Sequence, residues 1–265
     1  MNTATTPYEF SVISASTQDR IDSREQANNS NTDSETLEQL ATHEDFYVRR
    51  AVATHYNTSN KVLAWLVSDA QEQIRFYLAA NPHTPVETLT QLAIDESGDV
   101  RSQVAGNPNT PVNILEQLAR DIYIETQRQL AENPNTPANI LEEIGSRMLE
   151  LAESKALSSS EAIVIRGISL NSNTPVYILE KICNLKNPEN YYWLLELGVA
   201  QNPNTSDALL EKLANHPEYD VRLAIANNCS TPDFVLDILA TDKEYYIRQA
   251  AISKRYTKHG WKMNF

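Results

Sequence analysis

A short polar motif recurs along the chain, and the same pattern of apolar residues follows each copy. The motif reads NPNTP in its fullest form, and its threonine recurs at Thr32, Thr58, Thr84, Thr110, Thr136, Thr174, Thr205 and Thr231. All intervals between neighbouring copies are equal except the two longer ones on either side of Thr174. Because a fixed period of about 26 residues is typical of repeat architectures, the sequence predicts about eight copies of one unit, with two insertions.

An amphipathic helix, called helix A here, is predicted after each threonine. The fifth residue after the threonine is leucine in every copy: Leu37, Leu63, Leu89, Leu115, Leu141, Leu179, Leu210 and Leu236. An apolar residue and a small one follow three and four positions later, as Leu92 and Ala93 follow Leu89. This spacing places the three side chains on one face of an α-helix.

The start of helix A also carries capping signals. Threonine is the predicted N-cap, and a following proline such as Pro85 is predicted to take the first helical position. Thr32 with Glu35, and Thr84 with Glu87, have the spacing of capping boxes.

A second and shorter helix, helix B, is predicted before each motif. Apolar pairs four residues apart mark it: Val48 with Val52, Ile74 with Leu78, Val100 with Val104, and Val221 with Ile225. Only about 10 residues separate its start from the Asn-Pro that ends it, which predicts a short α-helix or a run of 3₁₀ turns. Helices of this length are marginal in isolation, so the units are predicted to stack into one continuous core.

Two sets of polar residues repeat with the same period. An asparagine lies three residues before the threonine in seven copies: Asn29, Asn81, Asn107, Asn133, Asn171, Asn202 and Asn228. An arginine lies seventeen residues after it in five: Arg49, Arg75, Arg101, Arg222 and Arg248. We predict that the asparagines hydrogen-bond turn backbones, and that the arginines form ion pairs along the stack rather than a site for a phosphate or carboxylate partner.

The motif NPxTPxxxLxxLA, followed by a short VRxxVA-like helix, resembles the leucine-rich repeat variant family, which is similar in style to the HEAT repeats. The resemblance covers Asn29 to about Lys254. It implies an all-α, right-handed α-solenoid of alternating longer and shorter helices without β-sheet. Some members carry a cysteine-rich iron–sulfur segment before the repeats, but residues 1–28 contain no cysteine, so no cofactor is predicted.

The remaining segments complete the predicted domain organisation. Residues 1–28 are rich in Ser, Thr, Asn and Gln without apolar periodicity, which predicts a disordered leader. The solenoid is predicted over residues 29–254, with insertions near 147–160 and 187–191. Residues 255–265 form a basic and aromatic tail, which is either a solvated end of the last repeat or a small binding arm.

Composition narrows the function. No apolar stretch is long enough to span a membrane and the N-terminus has no basic start, so a cytoplasmic protein is expected. The net charge of −13 makes general nucleic-acid binding unfavourable and favours partners with basic or mixed faces. Cys183 and Cys229 have neither the spacing nor the neighbours of a metal site. The sequence therefore favours a non-catalytic protein-binding scaffold, whose partner and oligomeric state stay open.

A helical-repeat enzyme is the alternative. Deoxyhypusine hydroxylase resembles a HEAT solenoid that binds iron through several His-Glu pairs, whereas only His43-Glu44 matches that pattern here. One pair cannot fill a metal shell. A bilin-lyase-like activity, known on other helical repeats, has no supporting motif.

Positions of helix B that do not repeat are the candidates for partner binding, since stacking requires sameness and recognition requires difference. They include the following residues: Tyr47, Arg50, Gln73, Phe76 and Tyr77. Tyr and Arg are the usual anchors of interfaces. A second candidate patch lies at the second insertion and comprises Tyr191, Tyr192 and Trp193. A purely structural role, filling gaps between repeats, is the alternative for both sets.

Overall fold

A computed structural model describes residues 7–185 and 193–258 of the chain, with side chains described from residue 17 onward. These residues form seventeen α-helices and, within the described ranges, no β-strand. The chain divides into two compact units, residues 1–114 and residues 115–265. Within each unit consecutive helices pack against each other as in an α-solenoid repeat, which confirms the predicted fold class.

Unit 1 alternates B and A helices. Its helices are α1 (Pro7–Asn28), α2 (Ser34–Leu40), α3 (Phe46–Thr54), α4 (Asn60–Leu66), α5 (Glu72–Ala80), α6 (Val86–Leu92) and α7 (Gly98–Gly106). Helix α8 (Val112–Leu118) spans the boundary between the units. The odd-numbered helices are the B helices, and α1, α3, α5 and α7 pack side by side in that order. Each A helix packs on the B helix that follows it.

Unit 2 continues the alternation. Its helices are α9 (Ile124–Glu132), α10 (Ala138–Ser154), α11 (Ser159–Leu170), α12 (Val176–Ile182), α13 (Trp193–Gln201), α14 (Asp207–Leu213), α15 (Tyr219–Asn227), α16 (Asp233–Leu239) and α17 (Tyr245–Lys258). The regular A helices have 7 residues and the regular B helices 9, all of them α-helical. The expectation that helix A is the longer of the two is therefore wrong.

The repeated leucines form the core of both units. All eight leucines at the fifth position after the threonine are at most 1% exposed. Burying one leucine side chain stabilises a fold by about 1.5 to 3 kcal/mol, so eight such positions contribute a large share of the stability of the stack.

The repeated threonine does not have its predicted role. In all eight copies its hydroxyl donates a hydrogen bond of 2.5–2.7 Å to the carbonyl oxygen six residues earlier, near the end of helix B. The N-cap of helix A is the next residue, such as Asp33, Ser59 or Pro85. The predicted capping boxes at Thr32 and Thr84 are wrong because these hydroxyls close the preceding helix. A capping box is found instead at the start of α11, between Ser158 and Glu161.

Residues 7–28 form helix α1, where the sequence predicted a disordered leader. The C-terminal part of α1 lies beside α3 as one B helix lies beside the next. Ala27 is fully buried, and the Arg24 guanidinium pairs with the Asp45 carboxylate at 2.6 Å. Residues 7–28 carry no apolar stripe like that of the internal repeats, so no helical periodicity marks α1 in the sequence. The leader interpretation failed for this reason.

The first insertion and the start of the tail extend helices of the repeat. Residues 147–154 extend α10 to 17 residues. The second insertion, 187–191, and residues 259–265 of the tail lie outside the described residues. Residues 255–258 form the end of α17, where the Lys258 ammonium group donates to the carbonyl oxygen of Thr231 at 3.3 Å.

Candidate protein-interaction surface

The asparagine ladder (Asn81, Asn107, Asn171, Asn202 and Asn228) joins successive turns within each unit. The Asn107 side-chain amide donates to the carbonyl oxygens of Ala79 and Asn81, at 2.6 and 2.9 Å, and its Oδ1 accepts from the Asn109 amide. Asn202 and Asn228 repeat this arrangement in unit 2. These amides are buried and bonded on both sides, so the predicted structural role is confirmed and none of them is free to bind a ligand.

The arginine ladder (Arg49, Arg75 and Arg222) links each B helix to the next repeat. Its Nε atoms donate to Asp69, Asp95 and Asp242, respectively, at 2.6–2.7 Å. The predicted ion pairs along the stack are therefore confirmed for these three arginines, and the partner acid belongs to the following repeat rather than to the turn before the arginine. These arginines act as structural ties between repeats.

Two carboxylates of this ladder, Asp95 and Asp242, are held in the ionised form. Burial alone would raise the pKa of Asp95, but hydrogen bonds from the Arg75 side chain and the Ser97 amide, together with the Arg75 charge, bring it below its ordinary value. The pKa of Asp242 is lowered in the same way by Arg222 and the Glu244 amide, against the effect of burial.

Two positions of the same ladder carry other residues in unit 2. The amide oxygen of Gln127 accepts from Arg147, and Glu196 pairs with Nε2 of His216 at 2.8 Å. In the second pair the acid, Glu196, lies at the arginine position of the ladder, and the base, His216, lies at the aspartate position. Nδ1 of His216 accepts from the Glu218 amide, so a neutral ring carries its proton on Nε2 and donates it to Glu196.

The residues considered for metal chemistry do not converge. Nδ1 of His43 accepts from the Asp45 amide, while Glu44 lies at the surface and pairs with Arg20 at 3.4 Å. Within residues 7–185 and 193–258, no three His, Cys, Asp or Glu side chains come close enough to hold a metal ion. Burial and the nearby Glu196 charge raise the pKa of Cys183 to about 12, so this thiol stays protonated at neutral pH.

The candidate residues on α3 and α5 come together at the surface of unit 1. Tyr47 is exposed and Arg50, Phe76 and Tyr77 are partly exposed, and this group lies beside Arg24 of α1 and Phe46 of α3. We call these six residues the aromatic–arginine cluster. Gln73 is exposed one turn before Tyr77, and its side chain makes no hydrogen bond to the cluster within the described residues.

Stacked rings and guanidinium groups hold the cluster together. The Arg24 guanidinium carbon lies 4.4 Å from the centre of the Tyr47 ring. The Arg50 guanidinium carbon lies 5.3 Å from the Tyr47 ring centre, 5.5 Å from that of Tyr77 and 6.0 Å from that of Phe46. The rings of Phe76 and Tyr77 meet edge to face at 5.4 Å. Arg50 thus bridges two successive B helices through cation–π contacts.

The cluster is accessible to a partner. Tyr47 is 48% exposed, and Phe46, Arg50, Phe76 and Tyr77 are partly buried by one another. Sequence analysis missed Arg24 and Phe46. Arg24 precedes Arg50 by one full period, and extending the repeat into the predicted leader would have found it.

The second candidate patch is only partly described. Tyr191 and Tyr192 lie outside the described residues, and Trp193 is the first residue of α13, where it is partly buried. The B helices α11, α13 and α15 of unit 2 present several aliphatic side chains, whereas α17 exposes Tyr245 and Tyr246. The aliphatic residues are Ile163, Leu170, Leu194, Leu197 and Leu223.

Shallow grooves lie between the B helices of unit 2. The groove between α9 and α11 has a volume of about 350 Å³, and Ile163, Gly167 and Leu170 line it together with Glu132 and Arg166. Another groove, between α13 and α15, is lined by Leu197 and Leu223. None of these lining residues is among the candidates predicted from the sequence.

No helix among the described residues is both long and apolar enough to cross a membrane.

Comparisons with known proteins agree with the repeat pattern. None of the curated proteins compared with the chain matches it significantly. The model of the leucine rich repeat variant family matches residues 98–121. This match, over about one repeat, confirms the family resemblance that the repeated motif indicated.

Proposed function

We propose that the chain is a non-catalytic scaffold that binds a partner protein through the aromatic–arginine cluster of unit 1. A helical repeat with a leucine-rich repeat variant match is compatible with such a scaffold. The observation that carries the proposal is the exposed group of aromatic rings and arginines on α1, α3 and α5.

The chemistry of the cluster suits an interface. Tyr and Arg are enriched among residues whose truncation weakens binding, because they desolvate a large area with few rotatable bonds in the contact. Contacts between rings and guanidinium groups already restrict these side chains, so less conformational entropy remains to be lost on binding. The cluster also occupies positions that the stacking ladders do not use, so partner binding leaves the ion pairs of Arg49 and Arg75 intact.

Charge supports a protein partner in the cytoplasm over nucleic acid. The net charge of −13 opposes the approach of a polyphosphate backbone, which basic patches normally attract. Two positive charges at the cluster are neutralised, since Arg20 pairs with Glu44 and Arg24 with Asp45. The cluster is therefore mainly an apolar and aromatic surface with a limited positive charge.

The test compares two matched substitutions in the full chain. A partner is captured from a lysate of the source organism on the immobilised protein, identified by mass spectrometry and produced in pure form. Its affinity is then measured for the wild type, for the double variant Tyr47→Ala with Tyr77→Ala, and for Tyr56→Ala. Tyr56 is a suitable control because it is 58% exposed and lies in the turn after α3, stacked on His55.

We expect the double variant to lose at least about tenfold in affinity, equivalent to about 1.4 kcal/mol, and Tyr56→Ala to bind like the wild type. Circular dichroism checks that all three proteins are equally helical. Equal affinity of the three folded proteins would exclude the cluster as the binding surface.

A further inference from the structure

Arg50 differs from most arginines of the B helices because no carboxylate meets it among the described residues. Each of the following arginines forms an ion pair with an acid: Arg24, Arg49, Arg75, Arg128 and Arg222. Within the part of the chain that the structure describes, Arg50 makes neither an ion pair nor a side-chain hydrogen bond, and its guanidinium group lies over the rings of Phe46, Tyr47 and Tyr77.

The surrounding rings orient this guanidinium group without occupying its donors. A guanidinium is planar, and contact with a ring face leaves its five in-plane N–H groups available. Because several rings surround the Arg50 group, they hold it in place at the surface, partly shielded from water. An arginine held in this way is prepared to bind a planar anion through two parallel hydrogen bonds.

The charges around Arg50 indicate how many negative charges its ligand has. Arg20 pairs with the Glu44 carboxylate and Arg24 with the Asp45 carboxylate. Among the described residues, one unpaired positive charge therefore remains at the cluster, within a chain whose net charge is −13. A single carboxylate complements this charge, whereas a polyanion would be repelled by the rest of the molecule.

We propose that the cluster recognises a protein segment that presents one Asp or Glu carboxylate to Arg50, with an aromatic or aliphatic side chain beside it. The carboxylate takes the guanidinium donors, and the neighbouring apolar side chain covers the exposed face of Tyr47 or Phe76. This inference rests on the proposed function, since it names the chemistry of the partner at the same surface.

Arg166 supplies a matched control in unit 2. It lies eight residues before its threonine, Thr174, as Arg50 lies eight residues before Thr58. Arg166 is exposed and likewise has no ion pair among the described residues, but it lines an aliphatic groove rather than an aromatic one. A substitution there removes the same charge without touching the cluster.

The first step of the test is selection from a random peptide library displayed on phage. The immobilised full chain serves as bait in four forms: wild type, Arg50→Gln, Arg166→Gln and Tyr77→Ala. We expect the wild type and Arg166→Gln to select peptides with Asp or Glu next to an aromatic or aliphatic residue. We expect Arg50→Gln to lose the preference for the acid. No selection on the wild type, or an acid preference that Arg50→Gln retains, would overturn the proposal.

The second step is a double-mutant cycle on the best selected peptide, measured by fluorescence anisotropy. Replacing its acid by the amide should weaken binding to the wild type by at least about tenfold, and binding to Arg50→Gln by less than about twofold, because the two groups interact directly. Equal losses on both proteins would place the carboxylate elsewhere. A phosphoserine analogue that binds more tightly than the carboxylate would assign the site to a phosphate instead.

The two proposals fail in different ways. Peptides that lose affinity on Tyr77→Ala but show no acid preference would leave the proposed function standing and exclude the carboxylate. Peptides whose binding responds to neither Tyr77→Ala nor Arg50→Gln would count against both.

Discussion

The B-helix faces of the two units share one plan and differ in chemistry. In unit 1 the face between α1 and α5 is aromatic and cationic, whereas in unit 2 the face from α11 to α15 is aliphatic. The residue seven positions before the threonine illustrates the contrast, because it is Tyr77 in one repeat of unit 1 and glycine, Gly167 and Gly198, in two repeats of unit 2.

Those glycines show that the residue at this position also determines how closely neighbouring B helices approach each other. A Cβ atom on Gly198 would lie 1.9 Å from the Ser169 hydroxyl, and one on Gly167 would lie 3.0 Å from the Ala131 methyl group. Neighbouring B helices approach closely at these points because no side chain separates them. Repeated positions thus fix the stack, and the others determine both the surface chemistry and the local spacing of the helices.

The largest expected effect tests whether the two units share one kind of core. Leu63→Ala in unit 1 and Leu210→Ala in unit 2 remove side chains that are fully buried, and each should lower the free energy of unfolding by about 2 to 5 kcal/mol through the cavity that remains. Urea denaturation measures the loss. As controls on exposed positions of A helices, Glu87→Ala and Glu211→Ala should cost under about 0.5 kcal/mol. A large loss of stability in Leu63→Ala and a small loss in Leu210→Ala would mean that the repeat leucine is not equivalent in the two units.

The second effect tests the close approach in unit 2. Gly198→Ala should lower the free energy of unfolding by about 1 to 3 kcal/mol, because the new methyl group would overlap the Ser169 side chain. Combining it with Ser169→Ala should recover part of this loss. Ala51→Gly, at the equivalent position of unit 1, should cost about 1 to 2 kcal/mol, from the lower helix propensity of glycine and the loss of a buried methyl group. A Gly198→Ala protein as stable as the wild type would show that α11 and α13 separate easily.

The third effect, no larger than the second, concerns the arginine ladder and its pH dependence. Arg75→Gln should lower the free energy of unfolding by about 1 to 3 kcal/mol at pH 7, because Asp95 loses its charged donor. The folded pKa of Asp95 lies below its unfolded value, so its stabilisation is present above the unfolded pKa and is lost as the pH falls through the folded one.

The free energies of unfolding of the wild type and of Arg75→Gln should accordingly become more similar as the pH falls below the ordinary aspartate pKa of about 4. Urea denaturation of both proteins at pH 7 and at successive values below pH 4 measures this difference. A difference that stays constant over this range would show that the Asp95 charge contributes nothing to the tie.

The sequence predicted the roles of residues correctly where the chemistry of the side chain allows only one environment. The repeated leucines have no alternative to burial, and buried side-chain amides such as Asn107 must hydrogen-bond to backbone. The threonine was misassigned because it lies between two helices, and its hydroxyl suits the end of one as well as the start of the other. Periodicity placed Tyr47 and Arg50 on one helix, but it could not show that Arg50 reaches Tyr77 on the next helix.

The threonine bond also explains where the repeat tolerates extra length. Because the hydroxyl binds the carbonyl six residues earlier, the link from helix B to helix A is a closed ring of constant size, and Asn171 and Thr174 keep that spacing beside the first insertion. Both long intervals add their residues earlier, after the start of α10 and between α12 and α13. The link from helix A to helix B is thus the natural place to graft a foreign loop.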